Sequence, residues 1–287
     1  MRQAMAFCPG HLTGFFQICR HPDPLATGSR GAGFSINLGA ESRVVLENGT
    51  GKLDIFINGA KAKARVTESA AKTLLGEEKL DTKIFTTLHL PISQGFGMSA
   101  AGALSASLAL SELLGQGEDA AYDAAHIAEV QCGTGLGDIA AIRTGGMEMR
   151  VKEGLPPAGE VVRLDGNFDM VLARLGSSID TASVINDPKK FDKLNKAAEA
   201  AFNRFNEDRD VHNLFRQSVR FMKESGLETD AVSKALAGIG SENVGSMCMI
   251  GNSVFTTGPD IPLLMRRLAK FGTVYEAKVD FEGPRML

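Results

Sequence analysis

The chain has little cysteine, no excess of either charge and no long uninterrupted apolar run, and each shortage removes a class of protein. Its four cysteines, Cys8, Cys19, Cys132 and Cys248, lie far apart. With no Cys-x-x-Cys pair and no histidine spaced to complete a zinc site, they read as reduced thiols, not as a disulfide framework or a metal centre. The formal net charge is −3, and Lys and Arg are scattered apart from local pairs such as Arg266-Arg267. Neither nucleic acid nor an anionic membrane is therefore an expected partner. The opening MRQAMAFCPG reaches Pro9-Gly10 before a signal-peptide core can form, so a cytoplasmic location is expected. Residues 98–114 are mostly apolar but carry Ser99, Ser105, Ser107, Ser111 and Glu112, and they fall short of the ~20 residues of a membrane span. A buried helix is the better reading. No internal repeat or low-complexity tract appears.

What is present suits a folded chain of more than one core. At 287 residues, with 44% hydrophobic and 23% charged residues, two lobes are expected. Short apolar runs at 44–46 and at Leu53, Ile55 and Ile57, separated by Asn48-Gly49-Thr50-Gly51 and followed by Asn58-Gly59, predict a hairpin-rich sheet. Gly49-Thr50-Gly51-Lys52 is not a Walker A loop, because Leu46 and Leu53 stand where Gly and Ser or Thr are required. Helices are predicted at 67–75, 98–114, 119–130, 190–205, 211–225 and 262–271, with a short one starting near 140. Strands are predicted at 83–90, 147–151, 169–175, 247–255 and 274–279. No regular βαβ unit emerges, so the expected class is α+β, with domains at 1–155 and 156–287 joined through the linker or strand connection at 153–159.

The chemistry concentrates in two glycine-rich stretches. In PISQGFGMSAAGALS, residues 91–105, Gly95 and Gly97 permit close approach of backbone N–H groups to an anion, and the helix that follows adds the positive end of its dipole. A phosphate cradle formed by Gln94, Gly95, Phe96, Gly97, Met98, Ser99 and Ala100 is one reading, and an ordinary strand-to-helix turn is the other. Ser99 is either a helix cap or a ligand for Mg²⁺ or phosphate. Downstream, Glu129 precedes Cys132-Gly-Thr-Gly-Leu-Gly137, which delivers Asp138. Glu129 alone fits a solvated helix position and Asp138 alone fits a helix cap. Beside a phosphate loop they fit one carboxylate for Mg²⁺ and one for an acceptor hydroxyl.

These segments resemble the GHMP kinases. PISQGFGMSAA is similar to the family's central P-x-x-x-G-[LF]-G-x-S-A-A motif, FCPGHLTGFF to its first motif, and GSMCMIGNSVF at 245–255 to its third, while GTGLGDIAAIRTGG resembles the segment that carries the catalytic aspartate. Many members have lysine after Pro-Gly in the first motif, where this chain has His11, and the third motif here has a reduced glycine run. The resemblance implies a two-lobed fold, with an N-terminal lobe like the second domain of ribosomal protein S5, a ferredoxin-like C-terminal lobe, and a homodimer. It implies ATP and Mg²⁺ as cofactors, Asp138 as the catalytic residue, and Ser99 and Glu129 as metal ligands. The combination of PGHLTGFF, DPLATGSRGAGFSINLG, QGFGMSAAGALS and TGLGDIAA is similar to archaeal members that phosphorylate the 4-hydroxyl of pantoate on the way to coenzyme A.

Pantoate offers a carboxylate, a 2-hydroxyl and a gem-dimethyl centre, so its pocket needs a cation, polar donors and an apolar wall. The resemblance places substrate binding on Ser29, His126, Arg150 and Thr181, with Arg30 a weaker candidate. Each has a plain structural alternative: a turn cap for Ser29 and Thr181, a surface or capped side chain for His126, a surface strand position for Arg150. Two rival functions remain open at this stage, a kinase for another hydroxy acid of mevalonate or shikimate type, and a non-catalytic nucleotide- or metabolite-binding relative.

Overall fold

Two long strands at the amino terminus organise the larger sheet. In the computed structural model, which describes residues 1–177 and 188–287, β1 (Arg2–Cys19) and β2 (Gly28–Asn48) pair antiparallel from Arg2↔Leu46 to Cys19↔Gly28. Pro9-Gly10 does not break β1. Pro9 has no N–H to give, and the ladder shifts register between Pro9 and Gly10; two residues on, His11 N–H donates outside the ladder to Phe96 O at 3.1 Å. The first motif is thereby tied to the glycine loop.

The sheet continues through β5 (Leu80–Leu88), β3 (Leu53–Ile57) and β4 (Ala60–Lys61) on one side, with β12 (Arg285–Met286) on the other edge of β1. The start of β2 also pairs with β6 (Met147–Lys152), and β6 with β7 (Glu160–Leu164). Residues 153–159 are thus the connection between two strands of one sheet. The expected hairpin at 48–51 does not form. Asp81 Oδ1 accepts from the amides of Thr50, Gly51 and Lys52 at 2.8, 3.1 and 2.9 Å. The chain then crosses over β5, so that β3 pairs parallel to it, with Ile55 opposite Ile84. The Asn58-Gly59 turn does close a hairpin, Ile57↔Ala60, but its second strand is short because α1 (Arg65–Leu75) starts early.

Helix α2 (Met98–Leu114) lies against β1 and β2 and between α1 and α3 (Glu118–Cys132). It is apolar on every face because every face is covered, and Gly115 at φ 69° ends it. α4 (Asp138–Thr144) leads into β6. No helix of the described residues is long and apolar enough to cross a membrane.

The second sheet has the order β11 (Thr273–Lys278), β8 (Asp169–Arg174), β10 (Ser253–Thr257), β9 (Val244–Met247), all antiparallel. The single strand expected at 247–255 is a hairpin whose turn, 248–252, carries Ile250 at φ 59°. Helices α5 (Pro188–Glu207), α6 (Val211–Ser225), α7 (Asp230–Ala237) and α8 (Ile261–Leu268) belong to this half. Asp210, Thr229 and Asp260 cap three of them by accepting from Asn213, Val232 and Leu263 amides. The halves share a core: Phe15 meets Phe205, Phe16 meets Phe221 and Phe34 meets Phe255 edge to face. At their junction Asn195 serves both backbone groups of Ile18, accepting from its N–H at 2.8 Å and donating to its carbonyl at 3.0 Å.

Candidate active site

A cavity of about 410 Å³ opens where the two glycine stretches meet. At one end stands the N-terminus of α2. Gly97 precedes it in the left-handed region, at φ 67°, and no side chain caps the first turn, which contains no acidic residue. Its free amides are suited to receive an anion. Gly95, Phe96, Gly97, Met98 and Ser99 line this end, whereas Gln94 and Ala100 are buried outside the lining. Gln94 works from behind: its Nε2 donates to Gly176 O at 3.1 Å, and its carbonyl accepts from the Ser253 hydroxyl. The hairpin turn of the third motif is packed against the loop there, while Met249 and Ile250 reach the cavity wall.

Two carboxylates, of Glu129 and Asp138, line the same cavity. Glu129, near the end of α3, is buried, and its Oε1 has no hydrogen-bond partner. Burial and the neighbouring charge of Asp138 push its carboxyl well above the usual range. A buried carboxylate with one unpartnered oxygen, lining the same cavity as an uncapped helix start, has the chemistry to hold a cation jointly with an anion's oxygens. Mg²⁺ is commonly bound in that way, through one or two protein oxygens. Ser99, exposed in the first turn of α2, faces the same cavity. Among the described residues no cluster of three or more His, Cys, Asp or Glu is placed to hold a metal ion.

Asp138 opens α4 and retains 26% side-chain exposure, enough for an acceptor to reach it. Burial raises its pKa, but the hydrogen bond from His11, the charge of His11 and that of Arg150 more than offset it and hold the carboxyl below its usual range. His11 is fully buried: Nδ1 donates to Asp138 Oδ1 at 2.9 Å, and Nε2 lies 3.2 Å from Glu148 Oε1. Arg150 Nη1 donates to the same Glu148 oxygen at 2.5 Å. The chain of contacts Asp138, His11, Glu148, Arg150 thus runs inward from the cavity wall. Sequence reasoning met His11 only as a departure from lysine and passed over Glu148. The available signal was the alternation of Glu148 and Arg150 with Met147 and Met149 in a short strand, which puts two charges on one face.

The substrate candidates separate. Ser29 lines the cavity beside Gly137, where a Cβ would sit 2.2 Å from Ser29 Oγ and 2.9 Å from Arg150 Nε, so only glycine fits. Arg150 is not a surface strand residue: it is buried, outside the lining, engaged by Glu148, and its Nε lacks a partner. His126 shares a helix with Glu129 but turns away from the cavity. It is buried, with Nε2 3.0 Å from Thr27 O and 3.2 Å from Pro24 O, and burial lowers its pKa, leaving a neutral ring that pins the loop before Ser29. Arg30 donates twice to Gln17 Oε1 and stacks on Phe202. Thr181 lies outside the described residues.

Comparison with known proteins agrees with this geometry. Residues 62–146 match the family model "GHMP kinases N terminal domain". Pantoate kinase of Methanocaldococcus jannaschii is 32% identical over 87% of this chain and 90% of its own, and that of Methanospirillum hungatei 31% identical over 100% and 97%. A solved structure described as a phosphotransferase related to the CoA biosynthesis pathway superposes with a TM-score of 0.90 at 26% identity, covering 100% of this chain and 99% of that one. Homoserine kinase from Cytophaga hutchinsonii, at 16% identity and a TM-score of 0.73 over 100% and 98% of the two chains, shares the fold. The chain belongs to the pantoate kinase family of the GHMP kinases.

Proposed function

We propose that this kinase transfers the γ-phosphoryl group of ATP to the 4-hydroxyl of pantoate with Mg²⁺ bound. The observation that carries the reading is the convergence, on one cavity, of the uncapped start of α2, the Glu129 carboxyl with its unpartnered Oε1 and the partly exposed Asp138, whose pKa is held down. A binding module has no use for all three. Sequence similarity to pantoate kinases supports the acceptor.

In this reading residues 95–99 hold the triphosphate through their amides, with Gln94 and Ala100 shaping the loop from behind. Ser99 and Glu129 hold Mg²⁺, which when bound neutralises charge on the phosphate oxygens. The acceptor oxygen attacks the γ-phosphorus, the bond to the β-phosphate oxygen breaks, ADP leaves, and the acceptor proton passes to Asp138. A carboxylate held below its usual pKa is adequate for that proton, because the transition state is loose and the hydroxyl ionises late. Positioning and charge neutralisation supply most of the rate. Ser29, in the cavity lining, is the polar group of the acceptor subsite, and the buried Arg150 supports it from behind at Gly137. His126 serves substrate binding by holding residues 24–27 in place, and Thr181 completes the set. The homodimer and the cytoplasmic location belong to the same reading, and light scattering of the purified protein tests the former.

The test is ADP release from ATP and Mg²⁺ with a panel of hydroxy acids. Turnover with pantoate is expected. Turnover with mevalonate or shikimate but not pantoate would overturn the acceptor, and none with any acid would favour a binding protein.

A further inference from the structure

His11 stands between two carboxylates that belong to different elements, and the sheet is built to let them meet. On β2, Gly33 lies opposite both Thr13 of β1 and Glu148 of β6. It contributes no side chain to the face that carries His11 and Glu148, and a Cβ there would come within 2.8 Å of His11 Nε2. The His11 to Glu148 contact passes over this gap. Glu148 has no exposure, and its Oε1 also accepts from Arg150.

We propose that Glu148 is a positioning residue for phosphoryl transfer: by accepting from His11 Nε2 it keeps the imidazole doubly protonated, so that Nδ1–H is committed to Asp138 Oδ1 and the other carboxylate oxygen is left for the acceptor hydroxyl. The argument is one of donors and acceptors. An ionised carboxylate can only accept, so two carboxylates on the two ring nitrogens require hydrogens on both. Removing one proton from the ring would leave a buried carboxylate facing a lone pair, which is costly at this depth. Burial works against the imidazolium, but the hydrogen bonds and charges of Asp138 and Glu148 outweigh it and raise the His11 pKa. The groups facing the ring are Asp138 from α4, Glu148 from β6 and the Thr13 hydroxyl at 3.4 Å from its own strand, with Arg150 behind Glu148. The inference rests on the phosphoryl-transfer role of Asp138, but its first readout needs no turnover.

That readout is ¹⁵N NMR of the histidine rings in the wild-type protein, with His11 assigned by comparison with His11→Gln. Two protonated ring nitrogens at pH 7.5 are expected, about one unit above the ordinary histidine pKa of ~6.5. A single neutral tautomer at that pH would overturn the proposal whether or not the protein turns over pantoate. The second readout is the pH profile of kcat in Glu148→Gln. A raised pKa means that the imidazolium, and the activity that depends on it, is present at low pH and lost as pH rises through that value. Loss of the Glu148 charge lowers the His11 pKa, so the alkaline limb should move to lower pH, with kcat at pH 8 down about tenfold and KM for ATP within about twofold. A folded Glu148→Gln protein with an unmoved limb would contradict the proposal. If that variant does not fold, the wild-type spectrum alone decides. His11→Lys, which fixes the positive charge, should lack the limb, and a limb persisting there at the wild-type pH would also contradict it.

Discussion

The two ends of the cavity are made of different materials. The end proposed for phosphate is backbone: amides of a glycine loop and of the first turn of α2, held by a neighbouring strand through His11 N–H to Phe96 O and by a hairpin turn behind Gln94. The end proposed for the acceptor is side chains: Asp138, His11, Glu148 and Arg150, drawn from β1, α4 and β6. Backbone can present partial positive charge to an anion without titrating. Side chains can carry or take a proton. Damage to one end should therefore appear in affinity, and damage to the other in turnover.

The sharpest division is expected from Asp138→Asn. It should lower kcat by about 10³-fold or more while ATP affinity, measured by calorimetry, stays within about threefold; equal losses in both would erase the distinction. Next comes Gly33→Ala, whose methyl group would meet the Leu12 carbonyl at 2.3 Å and His11 Nε2 at 2.8 Å, so that the ring must shift and β1 with it. A fall in kcat of about tenfold to a hundredfold is expected, with ATP affinity retained, and a weakening of ATP binding as large as the loss of turnover would place the damage elsewhere. Gly95→Ala attacks the other end. Gly95 has φ 75°, and a Cβ would lie 2.7 Å from Cys248 O. KM for ATP should rise about tenfold, since a strained residue costs of order 1–3 kcal/mol, with kcat at saturating ATP falling less. A kcat effect alone would contradict the assignment of the loop to the triphosphate. The smallest effect is expected from Asp210→Ala, which removes the cap on Asn213 N–H at the start of α6. It should cost about 1 kcal/mol of stability in a denaturant melt and leave both kinetic constants unchanged. A kinetic effect would couple the second lobe to the chemistry more tightly than the contacts imply.

The same contrast explains what could be read in the sequence. A backbone-built site needs glycines at fixed spacing and a helix start, so Gly95, Gly97 and the apolar run behind them were legible, as was the Gly137-Asp138 turn. Helix limits were equally plain where Asp210 or Gly226 supplied a cap. The acceptor end was partly hidden, because His11 lies 127 residues from Asp138 and 137 from Glu148 along the chain, and they meet only through the pairing of β1 and β6 with β2 and the placing of α4. His126 shows the limit of helical spacing: three residues before Glu129 places it on a nearby face, but the carbonyls of Pro24 and Thr27 decide where the ring goes. The turn at 48–51 looked like a hairpin because Asn-Gly usually is one. Asp81, 30 residues downstream, gathers its amides instead.

The central claim is direct phosphoryl transfer to a primary hydroxyl of a branched acid, and the product tests it most directly. With wild-type protein, ATP, Mg²⁺ and pantoate, ³¹P NMR should show one new phosphomonoester, split by the C4 methylene protons and formed in step with ADP. Inorganic phosphate in place of the ester, or an ester on the 2-hydroxyl, would contradict the account.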